Sequence, residues 1–136
     1  MKKIISMILS IAMLVGIASA VDLTAYAAVE NGNCGNNVSY SFDNVTGVLT
    51  ISGTGDIYNY RVDSDNYECN SPFYYFHNDI KSVVIENGVT SIGDGTFAFC
   101  YYLTSVTIPD GVTEIGNYAF AHCQDLTSVT IPDSVT

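Results

Sequence analysis

Residues 82–104, SVVIENGVTSIGDGTFAFCYYLT, and residues 105–127, SVTIPDGVTEIGNYAFAHCQDLT, are one 23-residue phrase written twice. They are identical at 13 positions, with no gap between them. Residues 128–136, SVTIPDSVT, begin the phrase a third time. A fixed period of this length limits the fold more than any other feature of the chain. Each period is one unit that cannot bury its apolar side alone, so neighbouring units stack and bury it against each other.

The recurring positions have physical roles. Leu103, Val106 and Ile108 stand at relative positions 0, 3 and 5, an L-x-x-L-x-L pattern. Ile80, Val83 and Ile85 repeat it one turn earlier, and Leu126, Val129 and Ile131 one turn later. Val106 and Ile108 alternate with Ser105, Thr107 and Pro109, which places the first pair inward on a short strand. Pro109, and Pro132 after it, ends that strand because proline donates no ladder hydrogen bond. Asp110-Gly111 makes the turn. Val112 and Ile115 return apolar groups to the core, and Gly116 allows a bend. The phrase NYAF then predicts a short helical or 3-10 segment, with Asn117 as its cap and Phe120 as its large core residue, matched by Phe97. Cys100 and Cys123 share one position in successive coils. A disulfide or metal pair is the sharper reading; the one favoured is a pair of small buried thiols, since a metal site needs more convergent ligands. His122 is matched by Phe99 and not by another ligand.

In residues 103–136 the phrase L-x-S-V-x-I-P-x-x-V-T-x-I-G-x-x-A-F-x-x-C resembles the BspA-like leucine-rich repeat family of bacterial secreted and surface proteins. The first coil is looser, with Glu86-Asn87 in place of Pro-Asp and GDGTF in place of GNYAF. Residues 34–79, from CGNNVSYSFDNVTGVLTISGTGDIYNY onward, resemble the region that precedes such repeats. The expected fold is a mainly β repeat solenoid of leucine-rich-repeat type, with short parallel strands, turns and short helical or 3-10 segments. The resemblance implies an extracellular interaction or adhesion role and no catalysis.

The region before the repeats also reads on its own terms. Val38, Tyr40 and Phe42 alternate with polar residues, and Leu49 and Ile51 alternate with Val48, Thr50 and Ser52. DNVTG lies between them as a turn, so the stretch predicts a β-hairpin. A repeat array needs an atypical end unit over its first open core face, and this hairpin is placed to be that cap. The organisation read from sequence is a leader at 1–27, a cap region at 28–79 and repeats at 80–136.

Lys2 and Lys3, the apolar run Ile4 to Ile17, and the small residues after it have the layout of a secretory signal peptide. The run is shorter than the roughly 20 residues that span a bilayer as a helix. Cleavage after Ala20 and after Ala27 both fit the small-residue rule. Beyond Ala27 the chain keeps two cations, Arg61 and Lys81, against thirteen carboxylates. Such a surface repels nucleic acid and anionic lipid, which argues against both as partners and against membrane insertion once the leader is removed.

Other motifs carry little chemistry. SGTGD at 52–56 lacks the glycines and following helix of a phosphate loop. DSDNYE at 63–68 lacks the glycine and distant glutamate of a calcium loop and reads as a solvated loop. His77 and His122 are the only histidines. No acid–base pair, nucleophile–base set, cofactor motif or metal constellation is recognisable, so no catalytic or cofactor residue is assigned. Cys34 and Cys69 are the candidate pair for a disulfide in an oxidising compartment, and spacing leaves paired and free both open. Phe73 and Phe76 read as packing between cap and first coil. NVS at 37–39 and NVT at 44–46 match glycan acceptors without implying their use in a bacterial protein.

The expected binding surface is the strand face: Ser82, Val84, Ser105, Thr107, Ser128 and Thr130. Tyr101 and Tyr102 are matched in the next coil by Gln124 and Asp125, an exchange no core position would tolerate, so both tyrosines are expected to face outward as anchors for a partner. The partner expected first is a protein on a host or bacterial surface. The alternative is a glycan, with the chain acting as a carbohydrate-binding accessory or spacer region of a larger extracellular enzyme. Ending on SVTIPDSVT, without the core-closing Ile, Phe and Cys that follow in the phrase, the chain reads as the N-terminal piece of a longer protein.

Overall fold

The computed structural model describes residues 29–136. The leader read from the sequence lies outside these residues. Among them, no helix is long and apolar enough to cross a membrane.

The hairpin forms where the alternation places it. Strands β1 (Val29–Asn33), β2 (Val38–Asp43) and β3 (Val48–Gly53) run as an antiparallel meander. Asp43 closes the β2–β3 turn. Its carboxylate accepts the Val45 and Thr46 N–H groups at 2.8 and 3.2 Å, and its carbonyl accepts the Gly47 N–H at 2.8 Å. Gly47 sits at φ +74, a left-handed conformation that costs a glycine little. Its carbonyl then accepts Lys81 N–H at 2.8 Å and Ser82 N–H at 3.2 Å, tying the hairpin to the repeats.

From there the strands become parallel. β7 (Ser82–Ile85) pairs with β3, and β9 (Ser105–Thr107) pairs with β7, Ser82 opposite Ser105 and Val84 opposite Thr107. The sheet order is β1-β2-β3-β7-β9. A second parallel sheet has the order β10-β8-β4, from β4 (Gly55–Asp56), β8 (Val89–Ile92) and β10 (Glu114–Ile115). A short ribbon of β5 (Val62–Asp63) and β6 (Glu68–Cys69) precedes a 3-10 turn at Pro72–Phe76. Ser71 caps that turn: its hydroxyl accepts Phe73 N–H at 3.3 Å and donates to the buried Thr96 carbonyl at 2.7 Å.

The repeat period is written in the hydrogen bonds between coils. Thr104 N–H reaches back to Lys81 O at 2.9 Å, Thr113 N–H to Thr90 O at 2.8 Å, and Thr136 N–H to Thr113 O at 3.1 Å, each one period away. The core lies between the two sheets. Phe42, Leu49, Ile51, Val83, Ile85, Val89, Ile92, Leu103 and Val112 are buried there. A column of phenylalanine rings runs through it. Phe73 stacks on Phe97 and Phe97 on Phe120, both at 5.4 Å between centroids.

Three local expectations need correction. The NYAF segment is a run of hydrogen-bonded turns and not a helix. Tyr118 and His122 take left-handed φ values of 58° and 60°, which interrupts any helical run. Asn117 does not cap its own segment. Its N–H and side-chain amide both donate to Asp94 Oδ1, one coil earlier, while Asp94 N–H is held by Asn59 Oδ1 at 2.8 Å. The third copy of the phrase forms its turn but no strand. Val135 N–H meets Pro132 O at 3.1 Å, as Val112 N–H meets Pro109 O at 3.1 Å. Residues 128–131 carry no ladder pairing, and Thr127 has no counterpart of the Thr104–Lys81 bond among the described residues.

Candidate interaction surfaces

The outer face of the five-stranded sheet is built from rows of residues in register. One row runs Asn31, Ser41, Thr50, Val84, Thr107 across all five strands. A second runs Val29, Asp43, Val48, Ser82, Ser105. A shorter third runs Asn33, Ser39, Ser52, with the two serine hydroxyls 3.5 Å apart. Side chains of strand residues alternate between faces, so the buried Phe42, Leu49 and Val83 fix these neighbours outward. Most are small, and Asp43 is the only ionisable side chain among them. Its carboxyl is held below the ordinary carboxylate value, first by the Val45 N–H and then by the Thr46 N–H.

The structure brings together four of the six strand-face residues read from sequence: Ser82, Val84, Ser105 and Thr107. Ser128 and Thr130 are exposed but lie outside the hydrogen-bonded sheet. The hairpin's share of the face was missed, although the alternation in β2 and β3 contained the signal. Thr50 and Ser41 occupy the outward parity, and only the register shows that they continue the rows of Val84 and Thr107.

The two candidate tyrosines separate. Tyr102 is exposed at 55%. Tyr101 is half-buried, a correction to the expected outward pair. Its ring lies 5.7 Å from His77 and 6.2 Å from Phe99, and desolvation, then the neighbouring Tyr74 and Tyr67, raises its phenol pKa. The cause is a tight turn in which Tyr101 N–H bonds Phe99 O at 2.8 Å, so consecutive side chains diverge. A subsidiary cluster gathers around Phe99, with His122 stacked on it at 4.9 Å and Tyr67 and Tyr74 at its rim. His122 thus continues an aromatic column one coil on from Phe99. Tyr75, 87% exposed, and Tyr58, 47% exposed, are more open than Tyr101.

The cysteines are four free thiols. Cys34 and Cys69, the candidate pair, are both free thiols in this structure. Cys34 lies in the main core, Cys69 in the cluster around Phe99, and the Tyr60 ring packs against both. The Cys69 thiol donates to Gly95 O at 3.4 Å. Burial pushes the Cys34 thiol up to about 12 and the Cys123 thiol up to about 11. Cys100 is raised by burial first, with Cys123 and Cys69 adding to it. Stacked coils put Cys100 beside Cys123, whose thiol donates to Phe97 O at 3.2 Å. Thiols held this far from ionisation are poor nucleophiles and poor ligands. Among the described residues no group of three or more His, Cys, Asp or Glu could hold a metal ion. In the DSDNYE loop Asp63 spends its carboxylate on Asp65 N–H, Asn66 N–H and the Asn66 amide.

A family model described as a BspA type leucine rich repeat region (6 copies) matches residues 69–136. The match begins at Cys69, ahead of Ile80, and takes in the 3-10 turn whose Phe73 starts the phenylalanine column. The chain is similar to a crystallised leucine-rich repeat protein from Eubacterium ventriosum, at 36% identity and a TM-score of 0.63. That alignment covers 76% of this chain, which spans 26% of the length of that protein. A crystallised leucine-rich repeat protein of T. pallidum aligns at 22% identity and a TM-score of 0.44, over 71% of this chain and 48% of that one. No curated protein matches.

Proposed function

Because the chain belongs to the BspA-type leucine-rich repeat family, we propose that it is a secreted or cell-surface binding module that docks a protein partner on its five-stranded face. Leucine-rich repeat proteins generally bind proteins, and the family is typically found on bacterial surfaces or secreted. In this reading residues 1–27 are a leader, the hairpin region 28–79 caps a repeat solenoid, and the repeats occupy 80–136, with the family's match reaching back over the 3-10 turn. The role is adhesion or partner capture, without catalysis and without nucleic acid.

The observation that carries the reading is the row Asn31, Ser41, Thr50, Val84, Thr107. Five small, uncharged side chains in register make a platform that lets a partner's backbone approach closely. A chain with a net charge of −10 would be expected to show carboxylates there, and the face shows one, Asp43. Depletion of charge at the centre of a patch is the compositional mark of an interface. The test displays the intact chain against immobilised extracellular-matrix proteins and host cells. Saturable binding that falls in Val84→Glu and Thr107→Glu supports the reading. No saturable binding, or binding indifferent to both substitutions, ends it.

A further inference from the structure

Away from the sheet face, a cleft of about 420 Å³ opens between the β1–β2 turn and the segment carrying β4. Asn36 and Asn37 form one wall, and Thr54, Asp56, Tyr58 and Asn59 form the other. We propose that this cleft binds a neutral saccharide, with the Tyr58 ring as its stacking platform and the surrounding amides and the Asp56 carboxylate as partners for sugar hydroxyls.

The geometry supports each part. Tyr58 is held at both ends. Its N–H donates to Cys34 O at 2.8 Å and its hydroxyl donates to Asn36 Oδ1 at 2.7 Å. The ring is fixed, yet 47% of the residue remains exposed. A rigid, half-exposed aromatic ring offers apolar area at little entropic cost. Asp56 Oδ1 is occupied by the Thr90 and Ser91 hydroxyls at 2.7 and 2.9 Å, whereas Oδ2 has no partner among the described residues. Asn59 uses Oδ1 on Asp94 N–H, and Asn36 uses Oδ1 on Tyr58, while neither amide NH₂ has an acceptor among the described residues. The Asn37 side chain has no hydrogen-bond partner among the described residues either. The cleft therefore presents donors and an acceptor side by side, the pattern that vicinal hydroxyls satisfy, since each hydroxyl both donates and accepts. The volume falls in the range of small-ligand sites.

Charge selects among sugars. Neither Arg61 nor Lys81 lines the cleft, and Asp56 lies within it. The two hydroxyl donors hold that carboxyl below its ordinary value, so it is ionised at neutral pH. An acidic sugar would meet a carboxylate with no cation to offset it.

Saturation-transfer NMR on the intact chain tests this, with maltotetraose, cellotetraose, mannotetraose and chitotetraose as neutral probes and 3′-sialyllactose as the anionic control. At least one neutral probe should bind saturably, with a loss of about tenfold in Tyr58→Ala. Asn37→Ala, at an exposed side chain with no hydrogen bond among the described residues, should weaken the same probe, and thermal melts confirm that both variants fold. Thr107→Glu, on the sheet face, should leave saccharide binding unchanged, which separates this site from the protein-docking face. Saturation by none of the neutral probes, by 3′-sialyllactose alone, or with wild-type affinity in both folded cleft variants overturns the proposal.

Discussion

Phe97 is stacked on both sides, on Phe73 with the ring planes 13° apart and on Phe120 with the planes 21° apart. Phe73 comes from the 3-10 turn, Phe97 from the first full coil and Phe120 from the second. The middle ring is fully buried, and Phe120 is only partly so. This column joins three successive turns through one kind of contact. Phe97→Ala should therefore cost about 3–5 kcal/mol, the range for removing a buried phenylalanine. Phe120→Ala should cost clearly less. Urea midpoints of the two variants decide it, and equal losses would show that the column does not transmit packing.

Gly95 and Tyr118 hold the same place in successive coils, and both are left-handed, at φ 61° and 58°. Their surroundings differ. A Cβ at Gly95 would lie 2.5 Å from the Val62 side chain and 2.7 Å from the Tyr60 carbonyl. Gly95→Ala should destabilise by about 1–3 kcal/mol, through strain added to this clash. Tyr118 is 66% exposed, and Tyr118→Gly should fall within about 1 kcal/mol of wild type. Thermal midpoints measure both, and a neutral Gly95→Ala would refute the steric argument.

Tyr101 and Tyr102 are neighbours with different environments. Tyr101→Ala should cost about 1–2 kcal/mol by releasing contacts with His77 and Phe99. Tyr102→Ala should stay within about 0.5 kcal/mol. Chemical denaturation of the two variants separates a packed ring from a solvated one.

Cys34, pushed up to about 12, and Cys123, pushed up to about 11, hold almost no thiolate at pH 8. Iodoacetamide at pH 8 should leave the native chain unlabelled and add four groups in urea, counted by mass spectrometry. Rapid native labelling at Cys34 or Cys123 would contradict the burial seen here.

Asp56 lies below its ordinary value of 3.8 because Thr90 and Ser91 donate to it. A depressed folded-state pKa gives stability that is present above 3.8 and is lost as pH falls through the lower folded value. The group is well exposed, so solvent screening keeps the effect small. Asp56→Asn should be less stable than wild type at pH 6, with the gap narrowing below pH 4. A gap that does not change with pH would remove Asp56 from the acid sensitivity of the fold.

Much of the architecture was legible because a fixed period and an alternation of period two are local properties. The inward positions Val83, Ile85, Val106 and Val112, and the hairpin from Val38 to Ser52, follow from side-chain spacing and turn chemistry without any long-range information. What escaped were outcomes set by neighbours distant in sequence. Asn117 looks like a helix cap until Asp94, one coil away, takes its N–H. Residues 128–131 repeat the phrase of β9 yet form no strand, because strand formation depends on a paired ladder and not on the phrase alone.

The sequence by itself determined the repeat, the apolar side of each coil and the family, since these depend on which residues recur and how far apart. Only the tertiary structure decided which surfaces exist. It set Thr50 in one row with Val84 and Thr107, split Tyr101 from Tyr102, placed Cys34 and Cys69 in different clusters, and brought Asn36 across to Tyr58. Those relations depend on strand register and backbone turns that bring residues from separate parts of the chain together. No pattern along the chain encodes them one residue at a time.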